Sequence, residues 1–411
     1  MRNGTKIILA CVTAASLLAG GCGQGRYTRE GMSLAEARQR QMKSGTEWSM
    51  ARQAFLAGDM KKALKRVEQS IEINPDVPKS HVLLGRIHME QSQLGPALEA
   101  FNEAERLDAE HVDAVYYQGL VYERLQKRER AFERFTRASE IDPANAQYLV
   151  AAAEMLIDQG KLDEAETFLN ERGEDFEHNP GVHHTLAHIA LLKGEHDRAV
   201  TLFRETQLLA PDDAGVSEDL AQAYVEAGRF AEADFLLSSL LSHDDLKDRR
   251  DLRHLRVRCL VELDRPVDAR TELLALTEGN QGASDVEAWI GLGNVAYTLG
   301  QDQQLRRASA RVVALAPERF EGYVLQALAQ RSRGELDHAT KSIARAVQLA
   351  PAEPSALLFQ AVILNDKGDV TGARASLQRV LELQPRNEVA NEFLAAITAR
   401  ARYATVPTDN D

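Results

Sequence analysis

The phrase Gly58-Asp59-Met60-Lys61-Lys62-Ala63 returns as Gly160-Lys161-Leu162-Asp163-Glu164-Ala165, and the same glycine-to-alanine spacing stands again at 194–199, 228–233, 334–339 and 368–373. The first four occurrences are separated by multiples of 34 residues. A fixed period of that size marks an array of stacked supersecondary units rather than one globular core. Laid on it, the 411 residues contain ten units: 44–77, 78–111, 112–145, 146–179, 180–213, 214–247, 250–283, 286–319, 320–353 and 354–387. Two-residue insertions at 248–249 and 284–285 keep the register.

Each conserved place within the unit has a physical job. Position 20 is alanine in nine of ten units, from Ala63 to Ala373, with Leu305 the exception. A methyl side chain there lets two helices of a hairpin approach closely. Position 8 is glycine or alanine in nine, Val257 excepted, and position 24 is large and apolar in nine, including Phe101, Phe135 and Phe203. Position 15 is glycine in seven units, which suits a left-handed residue ending the first helix. Position 32 is proline in six, where it stops the second helix.

These residues closely resemble the tetratricopeptide repeat, whose pattern every unit meets in part. The resemblance covers 344 of 411 residues. It implies an all-α, right-handed solenoid of about ten helix-turn-helix units. Hairpins of this kind bury their apolar faces only by stacking, and the end units must be closed off. Glu388 to Arg402 reads as a closing helix with Val389, Phe393, Leu394 and Ile397 on one side, and 403–411 as a flexible tail. At the other end Ser33 and Glu36 have capping-box spacing for a short helix from Leu34 to Lys43. The domain reading is therefore 1–21 as a signal, 22–43 as a tether with a short capping helix, 44–247 as units one to six, and 248–402 as units seven to ten with the closing helix.

The first residues read as an address. Arg2 and Lys6 precede an apolar run of 13 residues, Ile7 to Ala19, and then Gly20, Gly21 and Cys22. Thirteen helical residues span about 20 Å, short of a hydrocarbon core of about 30 Å. The run is thus a secretory h-region and not a permanent span. Leu18-Ala19-Gly20-Gly21-Cys22 resembles a bacterial lipobox, with Ala19 where that family prefers leucine. The resemblance implies cleavage before Cys22, acylation of that cysteine and a membrane anchor. Gly23 stands where an aspartate would resemble an inner-membrane retention signal. The expected location is therefore the cell envelope, at the outer membrane if the cell has two. Cys11 follows too short an apolar run to serve instead. Cys259, inside a helical pattern, reads as a small buried hydrophobe.

Lys plus Arg number 49 against 62 Asp plus Glu, a net charge of -13. An acidic chain repels phosphate backbones, so nucleic acid is not an expected partner. No Walker loop, nucleophile elbow, His-Glu-x-x-His or dinucleotide fingerprint occurs, and the expectation is a non-enzyme without cofactor. His184 and His188 lie four apart on one helix face, a spacing that can chelate a transition metal, but the repeat pattern fixes no carboxylate or cysteine beside them. They read as ordinary histidines, and no metal site is expected. Lys247 to Arg258 is rich in arginine and puts Arg256 at position 7, usually leucine. It marks either a kink or a basic docking patch for an acidic partner.

The family resemblance places first-helix positions 2, 5, 9, 12 and 13 on the inner face. In the first three units this face, with its neighbours, holds Trp48, Arg52, Val82, Arg86, Tyr116, Tyr117, Leu120 and Glu123. Aromatics with arginines suit a groove that grips a protein or peptide segment. The clamp by which chaperone-docking relatives hold a terminal carboxylate needs asparagine at position 6, and none of the ten units has one. The functional expectation is an envelope-anchored scaffold that assembles or recruits components of pilus, secretion, polysaccharide-export or cell-wall machinery. The alternative is a module binding a glycan or metal in its groove.

Overall fold

A computed structural model describes residues 26–173 and 176–404, and every regular element among them is helical. The assigned signal, Cys22 and the tail beyond 404 lie outside the described residues. The chain forms two compact bodies that divide between Lys193 and Gly194.

In the N-terminal body the hairpins are α1 (Arg26–Leu56) with α2 (Met60–Ile73), α3 (Pro78–Glu90) with α4 (Leu94–Leu107), α5 (Val112–Arg124) with α6 (Arg128–Ile141), and α7 (Ala146–Ile157) with α8 (Leu162–Arg172), followed by α9 (Pro180–Leu192). The C-terminal body opens with α10 (His196–Leu209). Its hairpins are α11 (Ala214–Glu226) with α12 (Phe230–Leu240) and α13 (Arg250–Glu262) with α14 (Pro266–Leu276), then the short α15 (Gly279–Ala283). Next come α16 (Val286–Thr298) with α17 (Asp302–Leu315), α18 (Phe320–Arg331) with α19 (Leu336–Leu349), α20 (Pro354–Asp366) with α21 (Val370–Leu383), and α22 (Glu388–Ala404).

Both helix ends follow from local chemistry. All ten residues at position 15 are left-handed: the seven glycines and also Ser92, Gln126 and Asp264, at φ 59°, 57° and 53°. The turn is thus set by the packing of the hairpin, and glycine merely adopts it with least strain. Second helices end one residue before proline at Asn74, Asp142, Ala210, Ala316, Ala350 and Gln384. Proline forces the preceding residue out of the helical region, and these six have left it.

Between the helices, large and small positions interlock. A Cβ on Gly85 would stand 2.5 Å from the ring of Phe101, and one on Gly119 would stand 2.5 Å from Phe135. The glycines are therefore the floor of sockets for rings that are wholly buried. Unit eight has Ser309 at position 24, and the space over Gly293 is filled instead by Leu325 of unit nine. Each core cluster draws on one hairpin and the next: Ala63, Val67, Leu83 and Ile87 in one, Ala97, Phe101, Ala114 and Val121 in the next.

Three local expectations change. No separate capping helix covers 34–43, because α1 runs unbroken from Arg26 to Leu56. Nothing in that stretch interrupts it: it holds no proline, and its Gly45 lies in open space, needing no special backbone. Ser44, mid-helix, is buried and exchanges hydrogen bonds with Ser70, which in turn meets Ser80. In α22, Ala390 and Ile397 are buried and Phe393 and Leu394 partly so, but Val389 is 64% exposed. The third change is α15, an extra turn at the end of unit seven, immediately before the second insertion.

Candidate functional site

The first helices of units one to three bring most of the expected groove residues together. Trp48 is half-buried and its Nε1 donates to the Lys79 carbonyl at 3.1 Å, which fixes the indole. Lys79 Nζ lies 4.4 Å from the centre of that ring and the Arg52 guanidinium 5.9 Å from it. The Arg86 guanidinium sits between two rings, 4.9 Å from Phe55 and 5.0 Å from Tyr117. Tyr117 is stacked on buried Phe101 at 5.5 Å. Tyr116 packs on Tyr117 and Tyr148, and its hydroxyl accepts from Gln147 at 3.1 Å. Burial raises the pKa of both phenols, so they stay neutral.

Val82 is not on this face. It is 5% exposed and belongs to the core cluster around Phe101, so position 5 of unit two turns inward. Leu120 is half-buried among core side chains and contributes a floor. Phe55 and Lys79, at positions 12 and 2, complete the aromatic and cationic sequence. Both stand at inner-face positions of the repeat, which is the signal that marks them.

Further along, the face turns acidic. Burial, then the Asp158 carboxylate, holds Glu123 above the ordinary carboxylate value. Burial, then Glu123 and Asp158, does the same to Glu154, while His184 and His188 pull it the other way. The two imidazole rings stand edge to face, 4.8 Å apart. A raised carboxylate pKa means that ionisation opposes folding, so stability is lost as pH rises through the ordinary value of 4.5 and the folded value above it. Glu154→Gln should then unfold at a higher temperature than wild type at pH 7, by no more than ~2 °C because water reaches the group. The difference should vanish near pH 4, where the carboxyl is protonated. Thermal scans check this; a lower melting temperature at pH 7 contradicts it.

The arginine-rich stretch of unit seven is not a free basic surface. Arg249 holds Glu218 and Asp251 at 2.8 and 2.7 Å, and Arg250 holds Asp285, which also meets His254. Arg256 bridges Asp234 and Glu272, both at 2.8 Å; Arg253 also binds Glu272, and Arg265 also binds Asp234. Asp234 and Glu272 are 7% and 8% exposed, so this is a neutralised network inside the repeat packing and not a docking patch. Beside it Cys259 is fully buried, and burial pushes its thiol up to about 11, which makes it unreactive.

By contrast Arg52, Lys79 and Arg86 have no carboxylate within ion-pairing distance among the described residues. In a chain of net charge -13, cations that remain unneutralised are conspicuous. Arg86 presents its guanidinium fork between two aromatic rings with no acceptor, an arrangement suited to a carboxylate. No helix among the described residues is long and apolar enough to cross a membrane.

Two family models, both described as tetratricopeptide repeat, match residues 125–189 and 190–250, and residues 82–131 and 324–388. Anaphase-promoting complex subunit 3 of Schizosaccharomyces pombe is 26% identical over 175 residues, 42% of this chain and 26% of that protein. Cellulose synthase 2 operon protein C of Komagataeibacter xylinus is 27% identical over 299 residues, 68% of this chain and 22% of that one. The chain thus spans about a quarter of the length of these relatives. The crystal structure of the APC/C hetero-tetramer Cut9-Hcn1 is similar at TM-score 0.40 and 12% identity, over 90% of this chain and 86% of that one. With the matched segments together covering more than half of its residues, and with nine helical hairpins in the 34-residue register among the described residues, the chain belongs to the tetratricopeptide repeat family.

Proposed function

We propose that the protein is a non-catalytic scaffold of the cell envelope whose first-helix face in units one to three captures a segment of a partner protein. The observation that carries this reading is Arg86, held between Phe55 and Tyr117 without an acceptor. Lys79 and Arg52 extend the cationic line over Trp48. Such a face fits a segment bearing a carboxylate next to an apolar or aromatic side chain: the ring packs on the aromatics and the carboxylate takes the guanidinium fork. The acidic end, Glu123 to Glu154, favours a basic residue further along the same segment.

The membrane attachment rests on the lipobox-like Leu18-Ala19-Gly20-Gly21-Cys22. Several acyl chains hold a protein at a bilayer where one does so only marginally. Assembly of an exported polysaccharide is the envelope process best supported, through the relative named for a cellulose synthase operon.

Selection of random peptides on the full chain tests the groove. Enriched peptides should pair Asp or Glu with an aromatic residue, and Arg86→Gln should weaken them about tenfold. Enrichment that is basic throughout, or indifferent to Arg86, refutes the reading. Labelled palmitate should enter the wild type and be absent from Cys22→Ala.

A further inference from the structure

A second pair of unneutralised arginines lies in the C-terminal body, well apart in sequence from the groove. The second helix of unit seven, α14, ends at Leu276 after 11 residues, whereas α17, α19 and α21 each have 14. The chain then turns through Thr277 and Glu278 and enters α15 at Gly279, whose φ of 69° is left-handed. A cavity of about 770 Å³ lies between α14, α16 and the start of α17. That volume is in the range of small-ligand pockets.

Its apolar wall is the exposed Leu274, with Trp289 and the buried Leu292 behind it. Trp289 is 5% exposed, and its Nε1 donates to the Gly282 carbonyl at 3.0 Å, so α15 itself locks the indole in place. The Arg307 guanidinium lies 5.6 Å from the centre of that ring. Arg270 enters from α14 with its Nε buried and without a hydrogen-bond partner, and Gln301 brings a buried, equally unpartnered amide oxygen. Glu278 and Asp302 line the same cavity, yet neither arginine is within ion-pairing distance of a carboxylate. Elsewhere in unit seven Arg250, Arg253, Arg256 and Arg265 are all paired. Buried donors and acceptors are ordinarily satisfied, and here two side chains with an unsatisfied buried atom, Arg270 and Gln301, line one cavity.

The geometry points to a binding site in this cavity for an organic carboxylate carried on an apolar or aromatic body. The body packs on Leu274 and the remaining edge of Trp289, and the carboxylate accepts from Arg270 and Arg307. This site is independent of the groove in units one to three, and either can fail without the other. The same chemistry is offered by a free acid and by the C-terminal residue of a protein, and the test separates them.

The protein has two tryptophans, so Trp48→Phe leaves Trp289 as the only indole reporter. The full chain with that change is titrated with N-acetylphenylalanine, with its amide, and with an eight-residue peptide ending in phenylalanine carboxylate. Saturable change in Trp289 emission is expected with the acid, the terminal peptide or both, and the pattern identifies the source. The amide should bind about tenfold more weakly, and Arg270→Gln and Arg307→Gln should each cost about tenfold. Arg307 is exposed, so its variant keeps the fold and remains informative if Arg270→Gln does not. No saturable change with either carboxylate, equal binding of acid and amide, or binding unaffected by Arg307→Gln overturns the proposal.

Discussion

Glu272→Ala is expected to destabilise the protein by about 3 kcal/mol, measured by urea unfolding of the full chain. Glu272 is 8% exposed and accepts from both Arg253 and Arg256. Removing it leaves two guanidiniums facing a protein interior, with only Asp234 left to hold Arg256. Breaking a buried charge network by deleting one partner costs about 3–5 kcal/mol, and the lower end applies because the arginine side chains keep 24% and 19% of their surface in water. The converse experiment separates pairing from packing. Arg256→Leu restores the usual apolar residue at position 7. Combined with Arg253→Leu, Asp234→Leu and Glu272→Leu, it should leave stability within about 1 kcal/mol of wild type or above it. A single Glu272→Ala variant indistinguishable from wild type would show that water already screens the network.

Phe135→Ala should cost about 3–5 kcal/mol, as for other buried aromatic truncations. The ring is fully buried, touches Tyr116 at 5.5 Å between centres and fills the socket above Gly119. Closing the socket from the other side should also hurt: Gly119→Ala puts a methyl 2.5 Å from the ring and should cost about 1–3 kcal/mol by overpacking. The two changes are coupled. Units four, six, nine and ten pair alanine at position 8 with Leu169, Leu237, Ile343 and Leu377 at position 24. Gly119→Ala with Phe135→Leu should therefore be more stable than the sum of the two single losses, because the smaller side chain leaves room for the methyl. Additive losses would mean that the socket is not the source of the cost.

The hairpin register, the helix ends and the small-against-large pairing were largely determined by the sequence, because each depends on residues close in the chain and recurs from unit to unit. Proline sets the conformation of the residue before it, and a small residue at position 8 meets position 24 of its own hairpin in units two and three. Local rules failed wherever the deciding neighbour came from another helix. The signal for a short N-terminal helix at Ser33 was real in spacing, but the chain before it is already helical, so α1 passes through. Val82 occupies a groove position in the pattern and a core position in the fold.

Charge was decided by tertiary structure alone. Arg256 finds its carboxylates 16 and 22 residues away, and Arg250 finds Asp285 at 35, so a run of arginines that reads as a basic patch is neutral once packed. Arg86, Arg270 and Arg307 carry the same side chain and meet no carboxylate. Which guanidiniums are spent inside the protein and which remain for a ligand depends on how neighbouring helices face each other, and no period of 34 residues contains that information.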